Sequence, residues 1–246
     1  MRQVTLDAIR DHAIRAYPRE CCGLVVAVGD RDRYVECTNA ATGTDHFILP
    51  AAEYAAAETL GDIVMVVHSH PDAPCEPSEA DRVACEASGL PWMIVEVRRG
   101  DNGTVNIRGM SNIEPAGFSV PLIGRSFAHG VLDCYTLVRD WYRVERGIVL
   151  RDFTRSDNWW NEGADLYMEN YGAAGFRRLV DGDPLEAGDV ILMQIRADVA
   201  NHAGIYIGNG LMLHHRYGRL SNREVYGGYW LENTRAVLRY VDDRKS

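Results

Sequence analysis

The spacing of apolar and polar residues predicts a mixture of helices and strands in the first 112 residues. Apolar side chains recur at helical intervals over residues 4–17, and the alanine-rich segment 51–60 is also typical of a helix. Ser78 and Asp81 before an apolar-periodic run ending at Gly89 predict a capped helix. Strands are predicted at CGLVVAV (22–28), RYVECT (33–38), FILP (47–50), DIVMVVH (62–68), PWMIVEV (91–97) and TVNIRGM (104–110). The nearly all-apolar run at 62–68 indicates a strand that is buried on both faces.

The pattern stops in the segment SNIEPAGFSV (111–120) and then begins again. That segment is rich in Ser, Asn, Pro and Gly and lacks periodicity, which is typical of a linker. Asp133 is a plausible N-cap of a helix ending at Gly147, and a second helix is predicted at roughly 160–176. Successive strands follow at LEAGDVILMQI (185–195), NHAGIYIG (201–208) and GLMLHHR (210–216). We therefore predict an α+β protein with two domains, residues 1–112 and 121–246, joined by a linker at 113–120.

Charge and composition exclude some classes of function. The net charge of −9 argues against non-specific nucleic-acid binding, which requires a surplus of Lys and Arg. No apolar stretch has the length of a transmembrane segment, and the first twenty residues lack the apolar block of a signal peptide, so we expect synthesis in a cytoplasm. The six cysteines form no regular framework, and we expect five of them to be reduced, buried apolar side chains.

Two histidines end the predicted buried strand, and an acidic residue follows in the next predicted helix. His68 and His70 are separated by one residue, so on a strand both imidazoles point to the same side. Asp81 lies in the first turn of the next predicted helix, where its carboxylate can point back to the strand end. Two imidazoles and one carboxylate suit Zn²⁺ and leave a coordination position for water. A bare His-x-His pair is more often two ordinary histidines, whereas the full motif is more specific.

The motif resembles that of the JAMM (MPN+/JAB) metalloproteases: His68-Ser69-His70, seven residues, then Ser78, two residues, and Asp81. The resemblance covers about residues 1–112 and implies a mixed sheet with flanking helices. It also implies that His68, His70 and Asp81 bind zinc. Glu20, in the similar stretch YPRECCGLVVAVG, is then the general base and acid, and Ser78 donates a hydrogen bond to the oxyanion or to the water.

A candidate nucleophile begins the helix of the second half. Cys134 follows the predicted N-cap, and a thiol at a helix N-terminus loses its proton more easily. Such a thiol needs a base oriented by a third polar group. His202 and His214 flank a tight turn at GNG (208–210), so antiparallel pairing can bring them together. The alternative is a buried core cysteine with surface histidines, which is the usual outcome for a single cysteine.

The second half resembles the NlpC/P60 cysteine peptidases through GRSFAHGVLDCYTLVRDWY, LEAGDVILMQI and NHAGIYIGNGLMLHH. The resemblance implies a papain-like domain of a helix and an antiparallel sheet, with Cys134 as nucleophile, His202 as base and His214 as third residue. Tyr135-Thr136 replaces the usual Ser-Gly after the nucleophile, which puts the shape of the groove in question. His215 is an alternative for the third role, but strand alternation places it on the opposite face. Phe127 stands where many members have a tyrosine.

The order of these two domains resembles the tail-tip assembly proteins of lambda-like phages. That resemblance implies synthesis in the host cytoplasm, a location at the virion tail tip among other tail-tip proteins, and action on peptidoglycan stem peptides at the periplasm or cell wall. Five arginines near the motifs of the second half could make a groove locally basic for acidic stems, or they could be solvated: Arg125, Arg139, Arg143, Arg216 and Arg219. Two further hypotheses stand: a structural tail component with inactive sites, and a cellular isopeptidase.

Overall fold

The computed structural model describes residues 1–180 and 182–241 and divides the chain into two units, residues 1–119 and the residues from 120 onward. The first unit contains the helices α1 (Gln3–Ala16), α2 (Ala51–Glu58) and α3 (Glu79–Ser88). Its strands are β1 (Cys22–Val28), β2 (Arg31–Cys37), β3 (Asp62–Pro71), β4 (Trp92–Arg99) and β5 (Val105–Ile113). They form one mixed sheet in the order β2-β1-β3-β4-β5.

The central strands β3 and β4 are parallel, and the other neighbouring strands pair antiparallel. Helix α1 covers one face of the sheet, where Ile9 packs in a cluster with Val25 and Val67. On the other face Leu24 and Val66 join a cluster that includes residues of α2 and α3. Neighbouring residues of β1 and β3 face opposite sides of the sheet, and both sides are covered around Val66 and Val67. The prediction that residues 62–68 are buried on both faces is therefore confirmed only for the second half of that segment, since residues 62–65 are exposed or half-buried.

The predicted capping box of α3 is confirmed. The Ser78 side chain accepts from the backbone N–H of Asp81, and the Asp81 side chain accepts from the backbone N–H of Ser78. Gly89 ends the helix in the left-handed conformation, with φ of 66°. This cap fixes the first turn of α3, and with it the Asp81 carboxylate, shortly after β3 ends.

One segment of the first unit differs from the sequence-based prediction, and another makes contacts that the prediction did not include. FILP (47–50) forms no strand, and Phe47 and Leu49 instead pack beside the α2–α3 face of the sheet. The predicted linker at 113–120 is also partly attached to this unit. β5 continues to Ile113, and the backbone N–H groups of Ala116 and Phe118 donate to the Glu86 carboxylate. The extent of the linker stays a prediction.

The second unit contains the helices α4 (Cys134–Arg146), α5 (Leu166–Asn170) and α6 (Tyr229–Glu232). Its strands are β6 (Phe176–Arg178), β7 (Val190–Met193), β8 (His202–Gly208), β9 (Leu211–His214), β10 (Asn222–Val225) and β11 (Thr234–Tyr240). They form an antiparallel sheet in the order β10-β9-β8-β7-β11-β6. The two units together confirm the α+β class, a mixed sheet with helices followed by a helix with an antiparallel sheet.

Helix α4 supplies the core of the second unit. Leu137, Val138 and Trp141 on α4 join a buried cluster with Ile205 of β8 and Leu213 of β9. The helix begins at the predicted N-cap, where the Asp133 carboxylate accepts from the Thr136 backbone N–H at 2.8 Å, and Gly147 ends it with φ of 64°. Packing of α4 on β8 therefore positions its first residue, Cys134, beside the histidine strands.

The prediction of a long helix at roughly 160–176 is wrong. The structure has a single 3-10 turn at Trp159–Asn161, then α5 of five residues, and then turns. Gly163 and Gly175 both adopt φ of 88°, a left-handed conformation that interrupts a helix. Trp159 and Tyr167 are buried in the core beside α4, so tertiary packing outweighed the helical pattern. No helix within the described residues is both long and apolar enough to cross a bilayer.

Gly23 in β1 offers a test of the packing beneath α1. A Cβ atom there would overlap the side chain of Tyr34, which is buried and whose hydroxyl is hydrogen bonded to His12. We expect Gly23→Ala to destabilise the first unit by about 1–3 kcal/mol, because the Tyr34 ring must shift. Hydrogen exchange of β1 amides in urea measures the change.

The matched control repeats the substitution in a Tyr34→Ala background, where the space is open. There Gly23→Ala should cost much less, which a double-mutant cycle reports as a coupling energy. Equal costs in both backgrounds would contradict the packing explanation.

Candidate active sites

The two histidines and the aspartate of the first motif converge on one point. His68 Nε2 lies 3.1 Å from His70 Nε2 and 3.1 Å from Asp81 Oδ1, and His70 Nε2 lies 3.4 Å from Asp81 Oδ2. In tetrahedral zinc sites, bonds of about 2.0–2.1 Å place neighbouring ligand atoms about 3.3–3.4 Å apart. Among the described residues, the ligand atoms of His68, His70 and Asp81 lie close enough together to bind one metal ion.

The chemistry of the three side chains fits a divalent cation. His70 Nδ1 lies 2.7 Å from the carbonyl oxygen of Pro74, which holds the proton on Nδ1 and leaves a lone pair on Nε2. Burial opposes ionisation of the Asp81 carboxyl group, but the adjacent imidazoles of His68 and His70 and the Ser78 hydroxyl outweigh it and lower the pKa of Asp81. A carboxylate and two imidazole nitrogens therefore meet at the end of β3.

Aromatic side chains fix the orientation of His68. Its ring stacks on Phe47 with 4.9 Å between centroids and packs edge-on against Trp92 at 5.4 Å. Phe47 belongs to the segment that was predicted as a strand and instead packs over this face of the sheet. The sequence pattern did not indicate that Phe47 would orient His68.

Ser78 is engaged in the helix cap. Its hydroxyl lies 2.7 Å from Asp81 Oδ2 and 3.1 Å from the Asp81 backbone nitrogen, from which it accepts. In the structure this hydroxyl therefore donates to the Asp81 carboxylate. The contact orients one of the three convergent side chains, whereas a contact of Ser78 with an oxyanion stays a prediction.

The residue between the two histidines attaches the Glu20 segment to the site. The Cys21 backbone N–H donates to the Ser69 hydroxyl at 2.8 Å, and the Ser69 N–H donates to the Cys21 carbonyl at 3.2 Å. The antiparallel pairing of Cys22 with His68 continues through these bonds toward Glu20 and His70. Ser69 is fully buried, and its two hydrogen bonds with Cys21 hold the Glu20 segment against the end of β3.

Glu20 is buried next to this site. Burial raises the pKa of its carboxyl group to about 8, with a further increase from Asp81 and an opposing decrease from His70. Asn39 donates to the Glu20 backbone carbonyl at 3.0 Å and so holds the segment in place. A carboxyl group with this pKa can both accept and donate a proton near neutral pH.

In the second unit, Cys134 is the first residue of α4. It is only 7% exposed, and its Sγ lies 3.4 Å from the hydroxyl oxygen of Tyr167. Burial, assisted by Asp133, raises the pKa of the thiol to about 11, while the contact with Tyr167 and, less strongly, the backbone of Ala203 oppose this rise. The helix N-terminus was expected to favour the thiolate, so in the structure desolvation acts in the opposite direction.

His202 and His214 lie together as the hairpin predicts. His202 Nε2 is 3.0 Å from His214 Nδ1, and both rings are buried. His214 pairs with Gly204, so the two histidines are diagonal neighbours on one face of β8 and β9. Burial lowers the pKa of His202 to about 3, and His214 and Arg216 lower it further, so the ring is neutral near pH 7.

No hydrogen bond links the Cys134 thiol directly to His202 within residues 1–180 and 182–241; the thiol bonds to Tyr167 instead. The two residues are nevertheless close, because the backbone of Ala203, the residue after His202, lowers the pKa of the Cys134 thiol. Bonds between a nucleophile and its base are often loose without substrate.

His215 lies outside the pair formed by His202 and His214. Its ring packs edge-on against Phe127 with 5.1 Å between centroids, and Phe127 also contacts Tyr217. Phe127, at the position where many NlpC/P60 peptidases have a tyrosine, thus makes an apolar contact with His215. The hydroxyl beside the thiol comes from Tyr167, 33 residues after Cys134, and nothing in the sequence pattern indicated it.

A buried ion pair supports the N-terminus of α4. Arg155 Nε donates to Asp133 Oδ2 at 2.8 Å, and both side chains are only 2% exposed. Arg155 outweighs the effect of burial and lowers the pKa of Asp133, which keeps the N-cap charged. Among the five arginines noted in the sequence, Arg125, Arg139, Arg143 and Arg216 pair with acidic side chains. They are thus partly neutralised.

Comparison with known proteins matches both halves of the chain. The family model of prokaryotic homologs of the JAB domain matches residues 2–108, and the NlpC/P60 family model matches residues 124–239. Tail tip assembly protein K of Escherichia phage N15 is 44% identical over 99% of this chain and 97% of that protein.

The chain belongs to the tail tip assembly protein K family.

A second member, tail tip assembly protein K of Escherichia phage lambda, is 41% identical over 76% of this chain and 87% of that protein. A solved structure of a Salinibacter ruber protein is 30% identical and covers 47% of this chain and 81% of its own, with a TM-score of 0.34. This score is too low to support a structural argument. The predicted relationship to lambda-like tail-tip proteins, with a JAB-type domain before an NlpC/P60 domain, is confirmed.

Several contacts in this K-family protein could not be read from the sequence. Phe47 and Asn39 support the first site, and Tyr167, Arg155 and Glu224 support the second. The first four lie in loops or in the short helix α5, far along the chain from the site residues they contact, so spacing carries no signal for them. Glu224 lies only ten residues after His214, but it is on β10, a strand that the sequence pattern did not predict. Cys134, His202 and His214 were identifiable because a helix start and a hairpin constrain them locally.

The buried pair of Asp133 and Arg155 leads to a stability prediction. Arg155→Met removes one partner and leaves an uncompensated carboxylate beside Cys134, and we expect a loss of about 3–5 kcal/mol. Urea unfolding followed by tryptophan fluorescence measures the loss, since every tryptophan except Trp92 lies in the second unit.

Arg177→Met is the matched control in the same unit, because Arg177 forms an exposed pair with Asp183. Its expected cost is much smaller than that of Arg155→Met, because solvent-exposed ion pairs contribute little to stability. If the two variants unfold at the same urea concentration, the Arg155 pair does not stabilise the α4 N-terminus.

Proposed function

We propose that the protein is a phage tail-tip component with two hydrolase sites. One is a cysteine endopeptidase that cleaves peptidoglycan stem peptides, and the other is a zinc-dependent amide hydrolase. The tail-tip assignment is supported by relatives named tail tip assembly protein K, which match at 44% and 41% identity. Its partners would be other tail-tip proteins, and its place of action the host cell wall.

The His202–His214 hydrogen bond at 3.0 Å, in a unit where Cys134 begins the adjacent helix, carries the peptidase proposal. His202 takes the proton of the Cys134 thiol as the sulfur attacks the scissile carbonyl carbon. The leaving amine then takes that proton from His202, and a thioester remains on Cys134. Water hydrolyses the thioester, again with His202 as base. His214 orients the His202 ring throughout.

At the first site, His68, His70 and Asp81 would hold the zinc ion. Bound there, zinc supplies Lewis acidity to the scissile carbonyl and makes water more acidic. The chain's own contribution is a proton carrier, Glu20, which accepts a proton from water and donates it to the leaving amine. Ser69 holds the Glu20 segment, and Ser78, which donates to Asp81 in the structure, would turn its hydroxyl to donate to the oxyanion instead. The substrate would be an amide bond.

A structural role with an inactive cysteine site is the second candidate. It is favoured by the burial of Cys134, by the pKa of its thiol of about 11, and by the bond of the thiol to Tyr167. In that case the second unit would serve tail assembly through its fold alone. The two candidates differ in one measurable respect, which is turnover of peptide substrates.

Incubation with purified muropeptides tests the cysteine site. Wild-type protein should cleave stem peptides in the presence of a chelator, and Cys134→Ala should abolish cleavage because the nucleophile is lost. Product mass analysis identifies the broken bond. His70→Ala is the control and should retain this activity. Absence of cleavage by the wild-type protein would favour the structural role.

Zinc analysis of purified protein tests the first site. We expect roughly one zinc ion per chain in the wild type and in Cys134→Ala, because three convergent ligands support a structural or catalytic site. His70→Ala should lose the ion, since two ligands bind zinc weakly. Equal zinc content in wild type and His70→Ala would contradict the assignment of His68, His70 and Asp81.

A further inference from the structure

The polar chain at the second site continues past His214 to a carboxylate. His214 Nε2 lies 3.6 Å from Glu224 Oε1. Glu224 is on β10, where Asn222 pairs with His214, so Glu224 is the diagonal neighbour of His214 on its other side. His202, His214 and Glu224 therefore follow one another across three adjacent strands.

The Glu224 carboxylate is held in a defined position. The indole N–H of Trp230 donates to Oε2 at 2.8 Å, and the Asn222 side chain donates to Oε1 at 3.1 Å. Arg216 donates to Oε1 at 3.2 Å. The Trp230 ring also packs edge-on against His214 with 4.6 Å between centroids. A carboxylate with these donors cannot turn away from His214 without breaking them.

The position of Glu224 decides where the two histidines carry their protons. Within the described residues, the buried His214 Nε2 has no hydrogen-bond partner at normal distance, and the carboxylate is the acceptor beside it. An acceptor there favours a proton on His214 Nε2. His214 Nδ1 is then an acceptor for His202 Nε2–H at 3.0 Å. His202 Nδ1 is left with its lone pair, which is what a base for a thiol requires.

We propose that Glu224 is a positioning residue for the cysteine site: by holding a proton on His214 Nε2, it leaves His202 Nδ1 as the base for Cys134. This inference rests on the proposed peptidase function and adds a fourth member to the Cys134–His202–His214 set.

The charges around the pair give the expected direction of the effect. His214 faces Glu224, which raises its pKa, and Arg216, which lowers it; burial lowers it most. His202 faces His214, Arg216, His215 and Asp133, and only Asp133 raises its pKa. The Glu224 carboxylate is itself ionised, because hydrogen bonds from Asn222 and Trp230 outweigh burial and lower its pKa. Its neutralisation therefore makes His214 harder to protonate, and it weakens His214 Nδ1 as the acceptor that stabilises a protonated His202 through the 3.0 Å contact.

Alkylation of Cys134 by iodoacetamide measures this effect without any substrate. We compare full-length wild type, Glu224→Gln, and Glu232→Gln as a control with an exposed carboxylate in the same unit. Mass spectrometry of the Cys134 peptide separates it from the other five cysteines. Because transfer of the thiol proton to His202 becomes less favourable, Glu224→Gln should react about tenfold more slowly at pH 7, which corresponds to one pKa unit. Its rate profile should move to higher pH, and Glu232→Gln should match the wild type.

Nitrogen-15 NMR of histidine-labelled protein reads the proton positions directly. In the wild type, His202 and His214 should both carry the proton on Nε2. In Glu224→Ala, which removes the acceptor, His214 and with it His202 should show a mixture of the two forms. The wild-type spectrum decides the matter even where a variant folds poorly, since a proton on His202 Nδ1 would overturn the proposal.

Failure of this inference is distinguishable from failure of the proposed function. If Glu224→Gln keeps both the wild-type alkylation profile and full muropeptide cleavage, the role of Glu224 is refuted and the peptidase stands. If the alkylation profile and the proton positions change as expected while no muropeptide is cleaved, Glu224 positions the pair and the substrate proposal fails.

Discussion

Burial of ionisable side chains is the constraint on which both candidate sites depend. A charge removed from water is costly unless another group compensates it, and each site contains a compensated carboxylate. In the first unit Asp81 is surrounded by His68, His70 and the α3 cap, and in the second Asp133 is paired with Arg155. Without these partners, burial of the Asp81 and Asp133 carboxylates would destabilise the folded state around each site.

Both sites are built where strands meet a helix N-terminus. β3 delivers its two histidines to the start of α3, and packing of α4 on β8 brings Cys134 to the strand that begins with His202. Rigid elements therefore position the side chains that would carry the chemistry. The Glu20 segment belongs to neither element. Ser69 attaches it to β3, and Asn39, in the loop after β2, donates to its backbone.

The sequence predicted the parts of the fold that depend on local rules. The α3 capping box, the Asp133 N-cap and the β8–β9 hairpin each involve residues within about twelve positions of one another, and all three are present. The helix at 160–176 failed because Trp159 and Tyr167 are held by the core and glycines interrupt the segment. FILP failed as a strand because Phe47 packs on His68 instead. Periodicity could not indicate these distant partners.

By itself, then, the sequence determined the α+β class, the order of the two halves, and the positions of the residues that would hold a metal ion or act as nucleophile and base. Only the tertiary structure decided their surroundings: the pKa of Glu20 of about 8, the contact of Tyr167 with Cys134, and the carboxylate of Glu224 beside His214. The physical reason is that desolvation and hydrogen-bond direction depend on which distant segments cover a side chain. Chain packing sets those quantities, and spacing along the sequence does not.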